Sequence, residues 1–407
     1  LGNTTGRTIG NAITLAAGAN EIAAATGASV TFSGIISGAG TGTLTVGDST
    51  NNGTVTFTGA NTYTGGTTVA VGTLKVGHAT ALGANTSSVS VTSGAVLDLN
   101  GTTMTGTNAL TLNGTGISSV GSLTNSSATP ATYAGDITLG TAPSIGGSNG
   151  SVTLSGIISG STGLRKAGSS TFTLSGANTY TGGTTINGGI LSISSDGNLG
   201  GVPASTTANA ITLSGGALQA SADVTVDSKR GITLTAASGL AATSSNTLTY
   251  GGIVTGAFAL TINGASQTGT VLLSGANTYT GGTNIVSGTV KLDAGTLCGT
   301  VSGSACSSGN TTLYATPLGT GTIRIRGGAT LDLNGNSLGD ANAATNLVVN
   351  IGSSGTKAYL VNTSANPVAI YGQIGIAKYI GSFPGLVSAV IGSSGGTLTV
   401  QSSLTNC

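Results

Sequence analysis

The acids and the lone histidine are where chemistry would have to start in this chain of 407 residues, in which Glu21 is the only glutamate among ten acidic side chains. The densest polar patch is ADVTVDSKRG, which holds Asp223, Asp227, Lys229 and Arg230. Glycoside hydrolysis needs two carboxylates facing one cleft. The even spacing of Asp223 and Asp227 would put both on one face of a strand, so an enzyme acting on an acidic glycan would use this pair. The competing reading is a solvated strand edge. Asp98 and Asp332 occupy the same short string, LDLNG, and an acid recurring at one position of a repeat reads as structural. His78 lies in the loop VGHATALG with Asp98 as its nearest acid in sequence, which gives no nucleophilic triad. Calcium-binding nonapeptides, EF-hand loops and phosphate loops are missing. The sequence therefore assigns no catalytic residue, no metal ligand and no cofactor.

The composition describes a scaffold. Charged residues make up 5%, aromatics 3%, and there are 72 glycines and no tryptophan. Disordered chains are typically charged and poor in β-branched residues, whereas Val, Ile, Leu and Thr abound here. A net charge of +1, from eleven basic and ten acidic residues, leaves no basic stripe for nucleic acid. It also leaves little repulsion between copies, which favours self-association. No apolar run is long enough for a transmembrane helix. The opening LGNTTGRTIG carries neither an initiating Met nor a signal peptide, which reads as a processed segment. Cys298 and Cys306 lie in a Gly/Ser-rich stretch and read as a small loop disulfide, implying an oxidising, extracytoplasmic setting. Cys407 is left over: a free thiol, a cut-off pair or a link to another chain.

A nine-residue string, GANTYTGGT, occurs at residues 59–67, 176–184 and 275–283. Upstream of each copy is a second signature: FSGIISG at 32–38, LSGIISG at 154–160 and YGGIVTG at 250–256. Downstream come GTLKVG, GGILSIS or SGTVKLD, and then GAVLDLNG, GGALQAS or GATLDLNG. Long-range self-similarity marks a repeat architecture. The chain divides into N-terminal rungs at 1–29, modules at 30–149, 150–247 and 248–368, and a partial fourth at 369–407.

Runs such as TVTFTG, TFTLSG, TLKV and TIRI alternate apolar residues with Thr, Ser or charge at period two, between Gly, Asn or Ser turns. No window offers a helical apolar face. Small residues, scarce aromatics and about three short strands per ~20–25 residues predict an all-β, right-handed parallel β-helix, a single continuous solenoid of three to four degenerate modules. In the nine-residue string, Asn61, Asn178 and Asn277 and the pairs Gly65–Gly66, Gly182–Gly183 and Gly281–Gly282 read as a sharp corner. Tyr63, Tyr180 and Tyr279 are expected to cover the core beside it. Asparagines stacked from turn to turn are expected to form a hydrogen-bonded ladder.

The unit LSGANTYTGGTTINGGILSIS resembles the passenger-associated β-strand repeat of autotransporters, the type V secreted proteins of Gram-negative bacteria. That repeat reads L-x-G-x-N-T-Y-x-G-x-T-x-(I/V)-x-x-G-x-L. Leu174 to Leu191 follows it closely, Phe57 to Leu74 nearly as well, and Leu273 to Val290 with small changes. The resemblance implies a β-helical passenger carried to the cell surface, often as an adhesin or stalk, with repeats associated with efficient secretion. The C-terminal membrane strands of a translocator barrel are not found in TLTVQSSLTNC.

Together these readings predict a non-enzymatic extracellular rod on a Gram-negative surface. Uncapped β-helix ends and near-zero charge make a second copy, stacked head to tail as a filament, its expected partner. A monomeric stalk or adhesin binding a surface glycan or receptor, through loops such as 295–317, is the alternative. A polysaccharide-degrading enzyme using Asp223 or Asp227 is the third.

Overall fold

Alternation of apolar and hydroxyl residues produces strand wherever the sequence carries it. In Thr54–Phe57, Val55 and Phe57 are buried and the two threonines face out; Thr171–Leu174 and Thr270–Leu273 repeat the pattern. The computed structural model describes residues 6–38, 40–264, 267–293, 317–336, 345–351, 358–365, 368–370, 372–378, 390–393, 398–400 and 404–406. The disulfide expected between Cys298 and Cys306, and the role of Cys407, lie outside the described residues. Among those described, helix is limited to two 3₁₀ turns, Ile117–Ser119 and Asp196–Leu199. No helix among them is long and apolar enough to cross a membrane.

The strands form a parallel β-solenoid, and the chain divides into two compact units, the first from residue 1 to 193 with 197–202, the second from 203 to 407 with 194–196. In the first unit each turn lays strands on successive sides. One side runs from Arg7–Ile9 through Ser29–Phe32, Thr54–Phe57 and Thr73–Val76 to Thr184–Ile186. A second runs from Ala19–Ile22 to Ile158–Ser159, and a third from Thr103–Met104 to Ile190–Ile193. The second unit repeats the plan, for example with Val224–Val226, Thr247–Tyr250, Thr270–Leu273 and Gly288–Leu292 stacked in order. Every described strand pairing in both units is parallel, as a chain wound in one sense requires.

The register stacks like on like. On the first side of the first unit, Val30, Val55, Leu74, Leu97, Leu123 and Ile145 form one inward column. Phe32 and Phe57 meet edge to face at 6.0 Å beside it. The turn containing the nine-residue string is 19 residues in all three copies: Thr54 pairs with Thr73, Thr171 with Ile190 and Thr270 with Thr289. Other turns are longer, as where Ser29 pairs with Thr54 and Leu97 with Leu123.

Lys166 breaks the aliphatic column, stacked between Ile145 and Ile186 with no exposed surface. Its ammonium donates to the carbonyls of Ala167 (2.7 Å), Gly168 (3.0 Å) and Gly188 (3.2 Å) and lies 5.4 Å from the Phe172 ring centre. Burial pushes its pKa down to about 8. The unfolded chain thus holds this proton more tightly than the native one. The cost of the buried charge is full below pH 8 and fades as pH rises toward the unfolded value of about 10.4. The buried phenols work the other way. Burial raises the pKa of Tyr63 to about 12 and also raises those of Tyr133, Tyr250 and Tyr279. The stability they support is full below the unfolded tyrosine value of about 10 and lost above it. Melting temperature is therefore expected to rise from neutral pH toward the unfolded lysine range and to fall beyond it. Circular dichroism melts of Lys166→Met should lose the rise and keep the fall; a rise that persists in this variant contradicts the assignment.

Candidate functional site

The three copies of GANTYTGGT build one arrangement three times. Each asparagine is buried, and its side chain reaches both neighbouring turns. In the first copy, the Ile36 N–H donates to Asn61 Oδ1 at 2.8 Å, and Asn61 Nδ2 donates to the Ala81 carbonyl at 2.7 Å. In the second, Asn178 accepts from Ile158 N–H (2.8 Å) and donates to the Asn198 carbonyl (2.6 Å). In the third, Asn277 accepts from Val254 N–H (2.7 Å) and donates to the Pro317 carbonyl (2.6 Å). The amides do not form the ladder expected from stacking. Each staples backbone groups of the turns before and after its own.

This geometry explains the second signature. Ile36, Ile158 and Val254 are the buried residues of GIIS, GIIS and GIVT, and they supply the N–H that each asparagine accepts. The glycines of the two signatures also meet. A Cβ on Gly59, Gly176 or Gly275 would fall 2.3, 2.1 or 1.8 Å from the carbonyl oxygen of Gly34, Gly156 or Gly252.

The tyrosines lie inside the core. Tyr63, Tyr180 and Tyr279 are at most 1% exposed, and each phenol is hydrogen-bonded to the hydroxyl of the threonine four residues on, Thr67, Thr184 or Thr283, at 2.7, 2.7 and 2.5 Å. The glycine pairs serve two purposes. Gly65, Gly182 and Gly281 are demanded by close approach, since a Cβ there would sit 1.8, 2.2 or 2.1 Å from backbone of the preceding turn. Gly183 and Gly282 take the left-handed conformation at φ 81° and 82°, whereas Gly66 does not.

One element of the staple escaped sequence reasoning. After each asparagine comes a Leu-Gly pair: Leu82–Gly83, Leu199–Gly200 and Leu318–Gly319. The leucines are buried, and the glycines have φ of 83°, 80° and 68°, placing bare backbone against the tyrosine ring below. The carbonyl receiving each asparagine Nδ2 immediately precedes this pair. It lies 20 residues beyond Asn61 and Asn178 but 40 beyond Asn277, and the unequal spacing hid the recurrence.

The acids are bound into turns. Asp98 accepts from Asn100 N–H within its own turn and from Ser126 N–H of the next, both at 2.9 Å, with Lys75 at 3.6 Å. Asp332 repeats this with Asn334, Thr363 and Lys291. Asp223 and Asp227 do not share a strand, because the strand covers only Val224–Val226 and both acids lie in the turns at its ends. Asp223 accepts from Thr247 N–H and Asp227 from Lys229 N–H, each at 2.8 Å. The patch is organised by a different acid: buried Arg230 forks onto both carboxylate oxygens of Asp196, at 2.9 and 3.2 Å. His78 Nδ1 accepts from Thr80 N–H in a half-buried turn.

Glu21 and Asp48 are brought side by side, a pairing not visible in sequence. The Asp48 carboxylate raises the pKa of Glu21, while hydrogen bonds from Thr50 and Asn51 hold Asp48 well below the usual carboxylate range. Both oxygens of Asp48 are occupied by its own turn, at 2.7–2.9 Å from Thr50 and Asn51. Among the described residues no cluster of His, Cys, Asp and Glu could hold a metal.

Removing Asn178 takes from the buried Ile158 N–H the acceptor it has here. At about 1–3 kcal/mol for an orphaned buried group, Asn178→Ala is expected to destabilise the fold by about that much. Exposed Thr181→Ala should stay within about 0.5 kcal/mol of wild type. Equal urea midpoints for the two variants would contradict the staple.

Comparison with known proteins agrees with this geometry. The passenger-associated-transport-repeat model matches residues 50–76, 164–193 and 265–292, each spanning a 19-residue turn and its flanking strands. The chain is 35% identical over 157 residues to the adhesin BmaC autotransporter of Brucella suis biovar 1. The match covers 39% of this chain and 4% of that protein, so the chain corresponds to a small part of that relative's length. No solved structure matches. The chain thus matches the passenger-associated transport repeat three times, each match lying on a parallel β-solenoid.

Proposed function

We propose that this chain is a non-enzymatic stretch of an adhesin-type passenger, presented outside a Gram-negative cell, in which the repeats stiffen the solenoid and the loops between them meet the receptor. One observation carries this reading: in all three copies of the string, the asparagine amide and the tyrosine hydroxyl are buried and bonded within the solenoid. Little remains of the string to recognise a ligand. In the first unit the two copies also leave different sides of the solenoid, after Thr54–Phe57 and after Thr171–Leu174, so they do not line one cleft. One relative is named an adhesin, and on this reading the expected partner is a surface glycan or receptor.

A head-to-tail filament is the second reading. It is favoured by in-register parallel strands together with a net charge of only +1. Glycan and matrix-protein arrays probed with the purified chain separate these readings when combined with negative-stain microscopy at rising concentration. Saturable array binding by isolated particles supports the adhesin, and filaments without array binding support the polymer. Release of reducing sugar from an acidic polysaccharide, lost in Asp223→Asn or Asp227→Asn, would contradict a non-enzymatic role.

A further inference from the structure

Glycine has no Cβ, so in an Asn-Gly pair nothing hinders the following backbone nitrogen from reaching the asparagine Cγ. The sequence holds seven such pairs, at Asn52, Asn100, Asn113, Asn149, Asn187, Asn263 and Asn334. In five of them the glycine N–H is tied to a neighbouring turn. Gly53, Gly114 and Gly150 donate to the carbonyls of Ala24, Thr141 and Ser127, and Gly101 and Gly335 to the amide oxygens of Asn125 and Asn362. Asn263 is fully buried, its amide accepting from Ala242 N–H and donating to the Gly269 carbonyl. Asn187 differs from all six. It is half-buried, and the Gly188 N–H makes no hydrogen bond among the described residues.

Two cations converge on this pair. A guanidinium carries only donors, so the Asn187 amide oxygen faces it, with Arg165 Nε at 2.5 Å and Nη2 at 2.6 Å. The Lys166 ammonium donates to the Gly188 carbonyl at 3.2 Å. The repeat requires none of these residues. In the other two copies, register gives the positions of Arg165 and Lys166 to Thr45 and Val46, or to Thr261 and Ile262. Asn187 and Gly188 correspond to Ala70 and Val71, or to Val286 and Ser287. The N–H groups of residues 187, 70 and 286 make the same bond to the preceding turn, on Lys166, Val46 and Ile262. The Asn-Gly pair and both cations thus occur together in the second copy alone. Neither cation is ion-paired to a carboxylate among the described residues.

We propose that Asn187 is a site of spontaneous deamidation, which supplies that carboxylate after folding. The Gly188 nitrogen attacks Asn187 Cγ and forms a C–N bond, and its proton passes through water to the amide nitrogen. The Cγ–Nδ2 bond breaks and ammonia leaves, closing a five-membered succinimide. Water opens the ring. Addition at Cγ gives an ordinary aspartate, and addition at the main-chain carbonyl gives isoaspartate. Arg165 stabilises the charge that gathers on the amide oxygen in the first step and pairs with the carboxylate of the product. The conversion removes one unit from the net charge of +1.

Peptide mapping by tandem mass spectrometry tests the site, on the purified full chain incubated folded at neutral pH and physiological temperature. Asn187 is expected to convert about tenfold or more faster than the other six pairs, because its attacking N–H is free and its carbonyl polarised. In urea the seven rates should converge. Arg165→Met should slow conversion at Asn187 about tenfold or more in the folded chain and leave the rate in urea unchanged. Asn187→Asp should melt above the freshly purified wild type, and this gain should vanish in the Arg165→Met background. Circular dichroism verifies that each variant is folded. An Asn187 that keeps its amide throughout, or seven equal rates in the folded chain, overturns the proposal. An undiminished folded-state rate in Arg165→Met does so as well.

Discussion

The structure depends on a buried primary amide that its own turn cannot satisfy. Asn61, Asn178 and Asn277 each present one acceptor and one donor along the solenoid axis, and each finds its partners in the turns before and after. A buried amide without partners is costly, so the side chain stabilises only when three successive turns are in place. Strand pairing alone couples each turn to its immediate neighbours. The staple extends the coupling across three turns at intervals along the chain.

Much else follows from holding that amide in place. The tyrosine fills the volume beside it, and its phenol needs the threonine four residues on because burial leaves no water for it. The glycines let backbone approach where a Cβ would strike a carbonyl of the adjacent turn. The turn is shortened to 19 residues, which brings the next strand back in register. Within one string, backbone approach, side-chain volume and hydrogen bonding constrain almost every position, which accounts for its intact repetition.

The fold was legible because its signals are local and repeated. Period-two alternation in TVTF and TFTL marks strands, and repeated small-residue turns mark a solenoid. The staple was only half legible. Its asparagine, tyrosine and glycines were visible in the string, but their partners lie in other turns, and a sequence string does not say that Ile36 N–H meets Asn61 Oδ1. The Leu-Gly pair was hidden by the doubled spacing in the third module. Nothing in LRKAG marks Lys166 for burial, yet strand register carries it into the aliphatic column. Asp223 and Asp227 looked like a pair by spacing, but the strand between them is only three residues long. Glu21 and Asp48 come together through the stacking of successive turns.

A scaffold whose recurring polar groups face inward leaves recognition to what varies between modules. On the proposed reading, the repeats supply stiffness and the loops between them supply contact. Native-state hydrogen exchange at the Ile158 amide tests the central claim most directly, since its acceptor is the side chain of Asn178. The account predicts that this amide exchanges as slowly as the strand amides around it, and that Asn178→Ala accelerates it by orders of magnitude while amides in distant turns are unchanged. Fast exchange at Ile158 in the wild type, or no change on losing the asparagine, would contradict it.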